Sequence, residues 1–379
     1  MDRIRYRAVF MRGGTSKGVF FHARDLPAEP SARDTVLLRV LGSPDPFGRQ
    51  LDGMGGGISS LSKAVIVSPP THPEADVDYL FAQVAVDRKV VDYTGNCGNL
   101  TSAVGPFAVE EGLVEAPRQG ETLVRLHNLN TRKVIHSRFQ VAEGLPVEGG
   151  AFVLAGVSGS AAPIRLDFID PGGARTGVLL PTGQTVDTLE VPGYGSVEAS
   201  LVDATNPVVF AAASAFGLKG TESPEQMEAS PGLMSALDAL RRIAGMRMGL
   251  AERAELVGLA NPKVALVAAP APFTALDGVS HGAETHLICV RMVSMERVHR
   301  AVTLTGAMCL AAACRIEGTL PHRLARPGPD GMILGHASGL LPVEAEVSRK
   351  NGAWSVTSTG VFRTARRLME GSVVLPSSQ

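Results

Sequence analysis

Residues 94–108 read TGNCGNLTSAVGPFA, and this stretch organises the first half of the chain. After the lone thiol of Cys97, apolar residues recur at the spacing of one helix face, at Leu100, Ala103, Val104, Phe107 and Ala108. The small, turn-forming residues before Leu100 indicate that the helix begins near Cys97. Pro106 lies inside this segment, where it predicts a kink. We therefore predict an apolar helix over residues 97–112 with a cysteine at its start.

A second stretch, TGAMCLAAAC at residues 305–314, resembles the first and indicates an internal repeat. Two more pairs of segments match in the same order, residues 15–20 with 205–210 and residues 63–67 with 263–267. By the Thr-Gly alignment, Cys97 corresponds to Met308, so the second half has no clear twin of the first thiol. The stretch at 305–314 has small residues on every face of its predicted helix, which suits a helix that is enclosed by sheet. We expect an ancient duplication, with two similar domains that each wrap strands around one central helix.

The rest of the chain has mostly the patterns of short strands, separated by frequent turns. Glycine and proline are abundant, at 42 and 25 residues. Further helices are predicted near residues 32–41, 231–244 and 297–315. This order differs from the regular alternation of a doubly wound fold, and it predicts an α+β protein with mixed sheets.

Composition excludes several classes of function. The 379 residues are 45% apolar and 19% charged, which is typical of a globular protein. A net charge of −1 gives no electrostatic signature of nucleic-acid or membrane binding. No apolar run approaches the roughly 20 residues of a membrane span, and no signal sequence precedes the first strand. The four cysteines form no Cys-x-x-Cys motif, so we expect reduced thiols, a cytoplasmic location and no metal site.

The position of Cys97 predicts a reactive thiol. The start of a helix offers unpaired N–H groups and the positive end of the helix dipole, which favour a thiolate and can also hold a carboxylate. Gly95 and Gly98 leave room for a ligand to approach the backbone. The alternative is a buried, inert cysteine.

Lys63 is the second candidate for chemistry. It leads into an apolar strand behind the glycine-rich loop at residues 53–57, so partial desolvation would make it a useful base. The alternative is a solvated lysine at a strand edge. If the repeat is real, the site lies between the halves, where two helix starts would bind a polycarboxylate. The matched positions are Ser16, Lys63 and Cys97 in the first half, and Asn206, Lys263, Thr305 and Gly306 in the second.

Several motifs together resemble the PrpF family over nearly the whole chain. They are MRGGTSKG at 11–18, DGMGG at 52–56 followed by Ser62-Lys63, GNCGN at 95–99, LPTG at 180–183 and GHASG at 335–339. In the last motif Ala337 replaces the proline that is more usual in the family. The resemblance implies a diaminopimelate epimerase-like fold, with domains over residues 1–185 and 186–379 and the C-terminal strand as a candidate to complete the first. Asn206-Pro207 resembles the Asn-Pro turn of the wider superfamily.

The resemblance implies a cofactor-free isomerase of unsaturated di- and tricarboxylates. Lys63 and Cys97 are then the proton-transfer residues. The remaining positions implied to bind substrate are Gly13, Gly14, Thr15, Ser16, Gly56, Asn96, Gly98, Asn99, Asn206, Lys263, Thr305 and Gly306. The expected partner is the small acid alone, without nucleic acid or membrane, and a homodimer is compatible with the sequence.

The resemblance implies cis-trans isomerisation of 2-methylaconitate or a close relative, with tautomerisation of 4-oxalomesaconate as the alternative. Residues 42–50 and 294–299 resemble the 2-methylaconitate branch, and residues 361–366 fit the 4-oxalomesaconate branch equally well. Aconitate and methylitaconate isomerases are further options. An amino-acid racemase would need a second opposed thiol, for which Cys309 is the nearest candidate. A nucleotide enzyme is disfavoured because residues 13–17 lack the phosphate-loop spacing. A non-catalytic polycarboxylate-binding protein is the third alternative.

Overall fold

A computed structural model describes residues 3–328, 331–350 and 352–377 of the chain. Strands make up most of its regular structure. In chain order they are β1 (Arg3–Gly13), β2 (Ser16–His22), β3 (Lys63–Ser68), β4 (Val77–Val84), β5 (Val91–Asp92), β6 (Gln119–Asn128), β7 (Lys133–Ala142), β8 (Leu145–Pro146), β9 (Phe152–Val153), β10 (Ser160–Ala161), β11 (Ile164–Ile169), β12 (Asp187–Val191), β13 (Gly195–Ala204), β14 (Asn206–Ala212), β15 (Lys263–Ala268), β16 (Phe273–Thr274), β17 (Ser280–His281), β18 (Ile288–Ser294), β19 (Arg297–Val298), β20 (Gly331–His336), β21 (Gly339–Lys350), β22 (Ala353–Arg363) and β23 (Ala365–Pro376).

The α-helices are α1 (Pro30–Leu41), α2 (Gly98–Glu110), α3 (Pro224–Glu228), α4 (Leu233–Arg247), α5 (Leu304–Arg315) and α6 (Leu320–Leu324). Within the described ranges, no helix is long and apolar enough to cross a membrane.

The chain divides into two compact units. The first comprises Met1–Leu166 together with Phe362–Gln379, and the second comprises Asp167–Val361. The C-terminal β23 pairs antiparallel with β1 from Arg3 opposite Pro376 to Gly13 opposite Ala365. The last strand therefore belongs to the first unit, with the strand at the beginning of the chain.

In the first unit, a mixed sheet surrounds α2. Strand β1 pairs antiparallel with β2, β2 pairs parallel with β3, β3 pairs antiparallel with β4, and β4 pairs parallel with β6. Helix α2 packs against β1, β2, β6, β7 and β23, and every residue from Gly98 to Val109 is buried. The amphipathic α1 covers another face of the sheet, where Leu37 and Leu41 pack with Phe21 and Ile66.

In the second unit, α5 has the equivalent position. Strands β13 and β14 are antiparallel, β14 and β15 parallel, and β15 and β18 antiparallel. Helix α5 packs against β13, β14 and β21, and all residues from Leu304 to Cys314 are buried. Alanine and cysteine at these positions keep the helix narrow enough for strands to approach it from several sides.

The strand registers agree with the repeat that the sequence predicts. Val19 lies opposite Ala64 in the parallel pair β2–β3, and Val209 lies opposite Val264 in the parallel pair β14–β15. These pairs occupy matching positions of the two repeats. The predicted α+β architecture, with two similar β-structures that each surround a helix, is confirmed.

One local prediction needs correction. The helix expected from residue 297 begins only at Leu304, because Met295 and Glu296 adopt positive φ values of 54° and 61° and form a tight turn between β18 and β19. Thr303 is the N-cap residue of α5, the position that Cys97 holds in α2, whereas the Thr-Gly alignment pairs Cys97 with Met308. Helix α2 continues through Pro106 as a single element.

Candidate active site

Cys97 is the N-cap residue of α2. Its backbone is extended, with φ −109° and ψ 91°, and its side chain makes no capping hydrogen bond. The first N–H groups of α2 consequently keep their donor capacity for a ligand. The Sγ atom is half-buried and lies 3.8 Å from Oγ of Ser16 at the start of β2. The structure thus brings the predicted thiol and the predicted serine together.

Lys63 is the first residue of β3, and its side chain is buried, with 7% exposed. Its Nζ donates a hydrogen bond to Oε1 of Gln83 at 2.5 Å and lies 5.0 Å from the ring centre of Phe81. Burial lowers the pKa of Lys63, while a hydrogen bond with Cys97 and the charge of its thiolate act in the opposite direction. A buried amine with a lowered pKa, next to a thiol, has the properties of a proton-transfer pair.

The glycine turn at residues 13–16 lies directly against the start of α2. A side chain on Gly13 would approach the Asn99 carbonyl oxygen to 2.6 Å. Gly14 has a positive φ of 52°, and a side chain there would collide with the Asn99 carboxamide. Nδ2 of Asn99 also donates to Oγ1 of Thr15 at 3.1 Å. Glycine is therefore required for the close approach of the two predicted binding motifs.

The glycine-rich loop before Lys63 is fixed by Gln50, which the sequence analysis did not identify. The Gln50 side chain accepts from the Gly57 N–H at 3.0 Å and donates to Oγ of Ser62 at 2.7 Å. A side chain on Gly56 would meet Leu61 at 2.8 Å, so the loop also packs closely on itself. These contacts fix the backbone immediately before Lys63.

The side chain of Asn96 points toward buried polar residues of the first unit. Its Oδ1 accepts hydrogen bonds from Tyr79 at 3.3 Å and from Asn128 at 3.4 Å, and the side chain is buried. Asn96 therefore anchors the residue before Cys97. Gly98 follows Cys97 as the first residue of α2, and it is buried.

The predicted residues of the second unit form their own cluster. Nδ2 of Asn206 donates to Asn261 at 2.7 Å, while the buried Oδ1 of Asn206 accepts no hydrogen bond from the described residues. Nζ of Lys263 donates to the Ala260 carbonyl at 3.1 Å. Thr305 and Gly306 lie in the first turn of α5, where the Thr305 carbonyl accepts from Thr205 at 2.7 Å.

The other thiols lie in different environments. Cys289, Cys309 and Cys314 are buried. Burial raises the pKa of Cys309, whose Sγ donates to the Val202 carbonyl at 3.5 Å. This environment makes Cys309 a poor proton-transfer residue, and it argues against a racemase that uses two thiols. Among the described residues, no group of three or more His, Cys, Asp or Glu side chains is arranged to hold a metal ion.

Comparison with known structures supports the fold assignment. A methylitaconate-delta-isomerase matches with a TM-score of 0.82 and 36% identity, over 100% of this chain and 99% of the other. A hydroxyproline epimerase from Agrobacterium vitis matches with a TM-score of 0.56 and 13% identity, over 99% and 95% of the two chains. The second likeness concerns the fold alone, which is the diaminopimelate epimerase-like fold that the sequence predicts.

Comparison with curated sequences gives a family and relatives along the full length. The family model described as PrpF protein matches residues 3–376. The 2-methyl-aconitate isomerase of Shewanella oneidensis is 40% identical over 99% of this chain and 98% of its own length. The 4-oxalomesaconate tautomerase of Pseudomonas putida is 39% identical over 99% and 97%. The two relatives are nearly equally similar, and both are named for unsaturated acids.

Proposed function

Because this chain belongs to the PrpF family, we propose that it isomerises an unsaturated di- or tricarboxylate by proton transfer between Lys63, Cys97 and an allylic carbon of the substrate. That the protein is an isomerase follows from its full-length relatives. The observation that carries the proposed mechanism is the buried Lys63 amine beside the thiol at the start of α2.

The proposed reaction begins with removal of an allylic proton. The C–H electron pair remains on carbon and delocalises over the adjacent C=C bond and carboxylate as a dienolate, while the proton moves to the base. Either the neutral Lys63 amine or the Cys97 thiolate is the base. The other residue, in its protonated form, then returns a proton, either to the far end of the allyl system or to the original carbon after rotation about the bond. The lowered pKa of Lys63 supports this role because it increases the neutral fraction near neutral pH.

The growing negative charge on the substrate carboxylate requires preorganised donors. In the proposal, the uncapped N–H groups at the start of α2 and the turn at residues 13–16 supply them. The proposed binding residues of the first unit are Gly13, Gly14, Thr15, Ser16, Gly56, Asn96, Gly98 and Asn99. In the second unit they are Asn206, Lys263, Thr305 and Gly306.

We propose 2-methylaconitate as the substrate and cis-trans isomerisation as the reaction. The relative of that name, which is 40% identical over the full length, supports this choice. The second candidate is tautomerisation of 4-oxalomesaconate, which the 39% identical relative supports. A cytoplasmic location and a homodimer stay predictions from the sequence.

Separation of reaction products tests the choice of substrate. Purified protein is incubated without added cofactor with 2-methylaconitate, 4-oxalomesaconate, aconitate and 3-methylitaconate, and the isomers are separated by chromatography. We expect the geometric isomer of 2-methylaconitate to form fastest. Faster conversion of 4-oxalomesaconate would favour the second candidate, and no conversion of any acid would contradict the proposed reaction.

A further inference from the structure

Arg363, at the end of β22, is a buried arginine beside the motif that contains Cys97. It is 3% exposed, and its Nε donates to Oδ1 of Asn99 at 3.1 Å. Its Nη1 donates to the Phe362 carbonyl at 2.8 Å. In the part of the chain that the structure describes, no acidic side chain forms an ion pair with Arg363. Burial lowers the pKa of Arg363 to about 9, so the guanidinium remains charged at pH 7.

The neighbouring residue fastens the same region through its backbone. The Thr364 carbonyl accepts from the Gly14 N–H at 2.8 Å and from Nη1 of Arg12 at 3.0 Å. Asn99 in turn holds Thr15, so Arg363 and Thr364 connect the glycine turn to the start of α2. Both predicted binding motifs of the first unit are therefore positioned from a strand near the C-terminus.

Among the described residues, neither Arg363 nor Lys63 forms an ion pair with a carboxylate. Arg363 is bonded to a neutral amide and a carbonyl, and Lys63 is bonded to the neutral Gln83. The start of α2 adds the positive end of a helix dipole. A buried charge without a counter-ion costs stability. A ligand that carries several carboxylates would provide the missing negative charge.

We propose that Arg363 is a positioning residue that orients the Asn99 carboxamide and supplies fixed positive charge for a substrate carboxylate at the start of α2. This inference rests on the proposed function, and it assigns one carboxylate of the substrate to the start of α2. Arg363 acts through Asn99, so its loss affects substrate binding more than proton transfer.

The test uses Arg363→Met and Arg363→Lys in the full chain. The saturated tricarboxylate tricarballylate is the calorimetric probe, and kcat and KM are measured with the best substrate. We expect Arg363→Met to weaken tricarballylate binding about 10- to 100-fold, as for loss of a hydrogen bond to a charged group. KM should rise more than kcat falls. Arg363→Lys keeps the charge but loses the planar fork, so it should recover part of the binding.

Arg291→Met is the matched control. Arg291 is also buried and donates to backbone carbonyls, those of Glu222 and Val290, but it lies in the second unit, and neither of these hydrogen bonds reaches a predicted site residue. Its variant should bind tricarballylate like the unchanged protein. Equal losses in the Arg363 and Arg291 variants would show a general effect of losing a buried arginine, and would overturn the inference.

Two outcomes separate this inference from the proposed function. If the unchanged protein isomerises an acid while Arg363→Met retains its KM and its affinity for tricarballylate, only the inference is wrong. If the unchanged protein converts none of the acids, the proposed function is wrong and the inference falls with it. If Arg363→Met does not fold, Arg363→Lys provides the test. An affinity of Arg363→Lys for tricarballylate equal to that of the unchanged protein would contradict the role of the planar guanidinium.

Discussion

Gln83 accepts a hydrogen bond from the Lys63 amine at 2.5 Å, and the two residues lie directly opposite each other on β3 and β4. The Gln83 amide nitrogen donates to the carbonyls of Ser59 at 3.1 Å and Ser62 at 2.9 Å. Because both ends of the amide are engaged, its oxygen is fixed toward Nζ. Gln83 is a neutral partner and adds no counter-charge, so the burial that lowers the pKa of Lys63 is opposed only by Cys97.

Gln83→Glu tests the importance of that neutral partner. A carboxylate beside Nζ favours the charged amine, so the pKa of Lys63 should rise and the neutral base should become scarcer at pH 7. We expect kcat/KM at pH 7 to fall at least about tenfold, since each pKa unit corresponds to a tenfold change in the neutral fraction. The increase of activity with pH should move to higher pH. Gln119→Glu, an exposed change on β6, is the control, and an unchanged pH profile in Gln83→Glu would contradict Lys63 as a base.

Lys63→Met should be less active and more stable than the unchanged protein. The unfolded chain binds a proton at Lys63 up to the ordinary pKa of 10.5, whereas the folded chain releases it at lower pH. At a pH between the folded and unfolded pKa values, the unfolded state binds more protons, so the stability of the folded state rises with pH. At a pH below both values, Lys63 is charged in both states, and its burial destabilises the folded state by the full amount. We expect a higher Tm for Lys63→Met than for the unchanged protein at pH 7, with the difference shrinking as pH approaches 10.5.

The same variant should lose activity by about 10²- to 10⁴-fold, the range typical of general acid–base groups. Lys17→Met, at a partly exposed lysine on β2, controls for loss of a positive charge and should give no comparable gain in Tm. A lower Tm for Lys63→Met at pH 7, measured by circular dichroism, would contradict the unfavourable burial of this charge.

Cys97 should be the first thiol to react with iodoacetamide. It is half-buried, whereas Cys289, Cys309 and Cys314 are buried. Brief treatment of the native protein should add one group, on Cys97, and abolish activity in parallel, and tricarballylate should slow both changes. Mass spectrometry of peptides measures the modification. Cys314→Ala is the control, in which Cys97 should be alkylated at the normal rate and isomerase activity should be unchanged. Preferential alkylation of Cys289, Cys309 or Cys314 would contradict the described environments.

Gly14→Ala separates backbone strain from collision with Asn99. A positive φ costs a residue with a side chain about 1–2 kcal/mol, and Gly112→Ala, at φ 68° with open space around it, incurs that strain alone. We expect Gly14→Ala to lower the free energy of unfolding by more than Gly112→Ala, and to raise KM because the Asn99 carboxamide must move. Urea unfolding and steady-state kinetics provide the two measurements, and equal effects of both changes on KM would contradict a specific contact.

Local patterns in the sequence predicted much of the fold and part of the site. The helix periodicity after Cys97 and the paired segments around residues 19, 64, 209 and 264 predicted both central helices and the matching strands of the two repeats. The turn at Met295 and Glu296 was missed because neither residue is typical of a positive φ.

The remaining site residues were missed because their roles depend on contacts with residues distant in the chain. Gln83 reaches Lys63 through strand register, and Arg363 reaches Asn99 from 264 positions away. A search of polar residues opposite Lys63 in a predicted hairpin could have found Gln83. Nothing local to residue 363 indicates its partner.

Proton NMR in D₂O with 2-methylaconitate and no added cofactor tests whether Lys63 and Cys97 transfer an allylic proton. We expect the unchanged protein to introduce deuterium at an allylic position while the geometric isomer appears, and Lys63→Met and Cys97→Ser to do neither while still binding tricarballylate. Near-normal turnover in both variants would contradict proton transfer by Lys63 and Cys97. Isomerisation by the unchanged protein with neither uptake of deuterium from solvent nor a primary isotope effect for substrate deuterated at the allylic carbon would also contradict it.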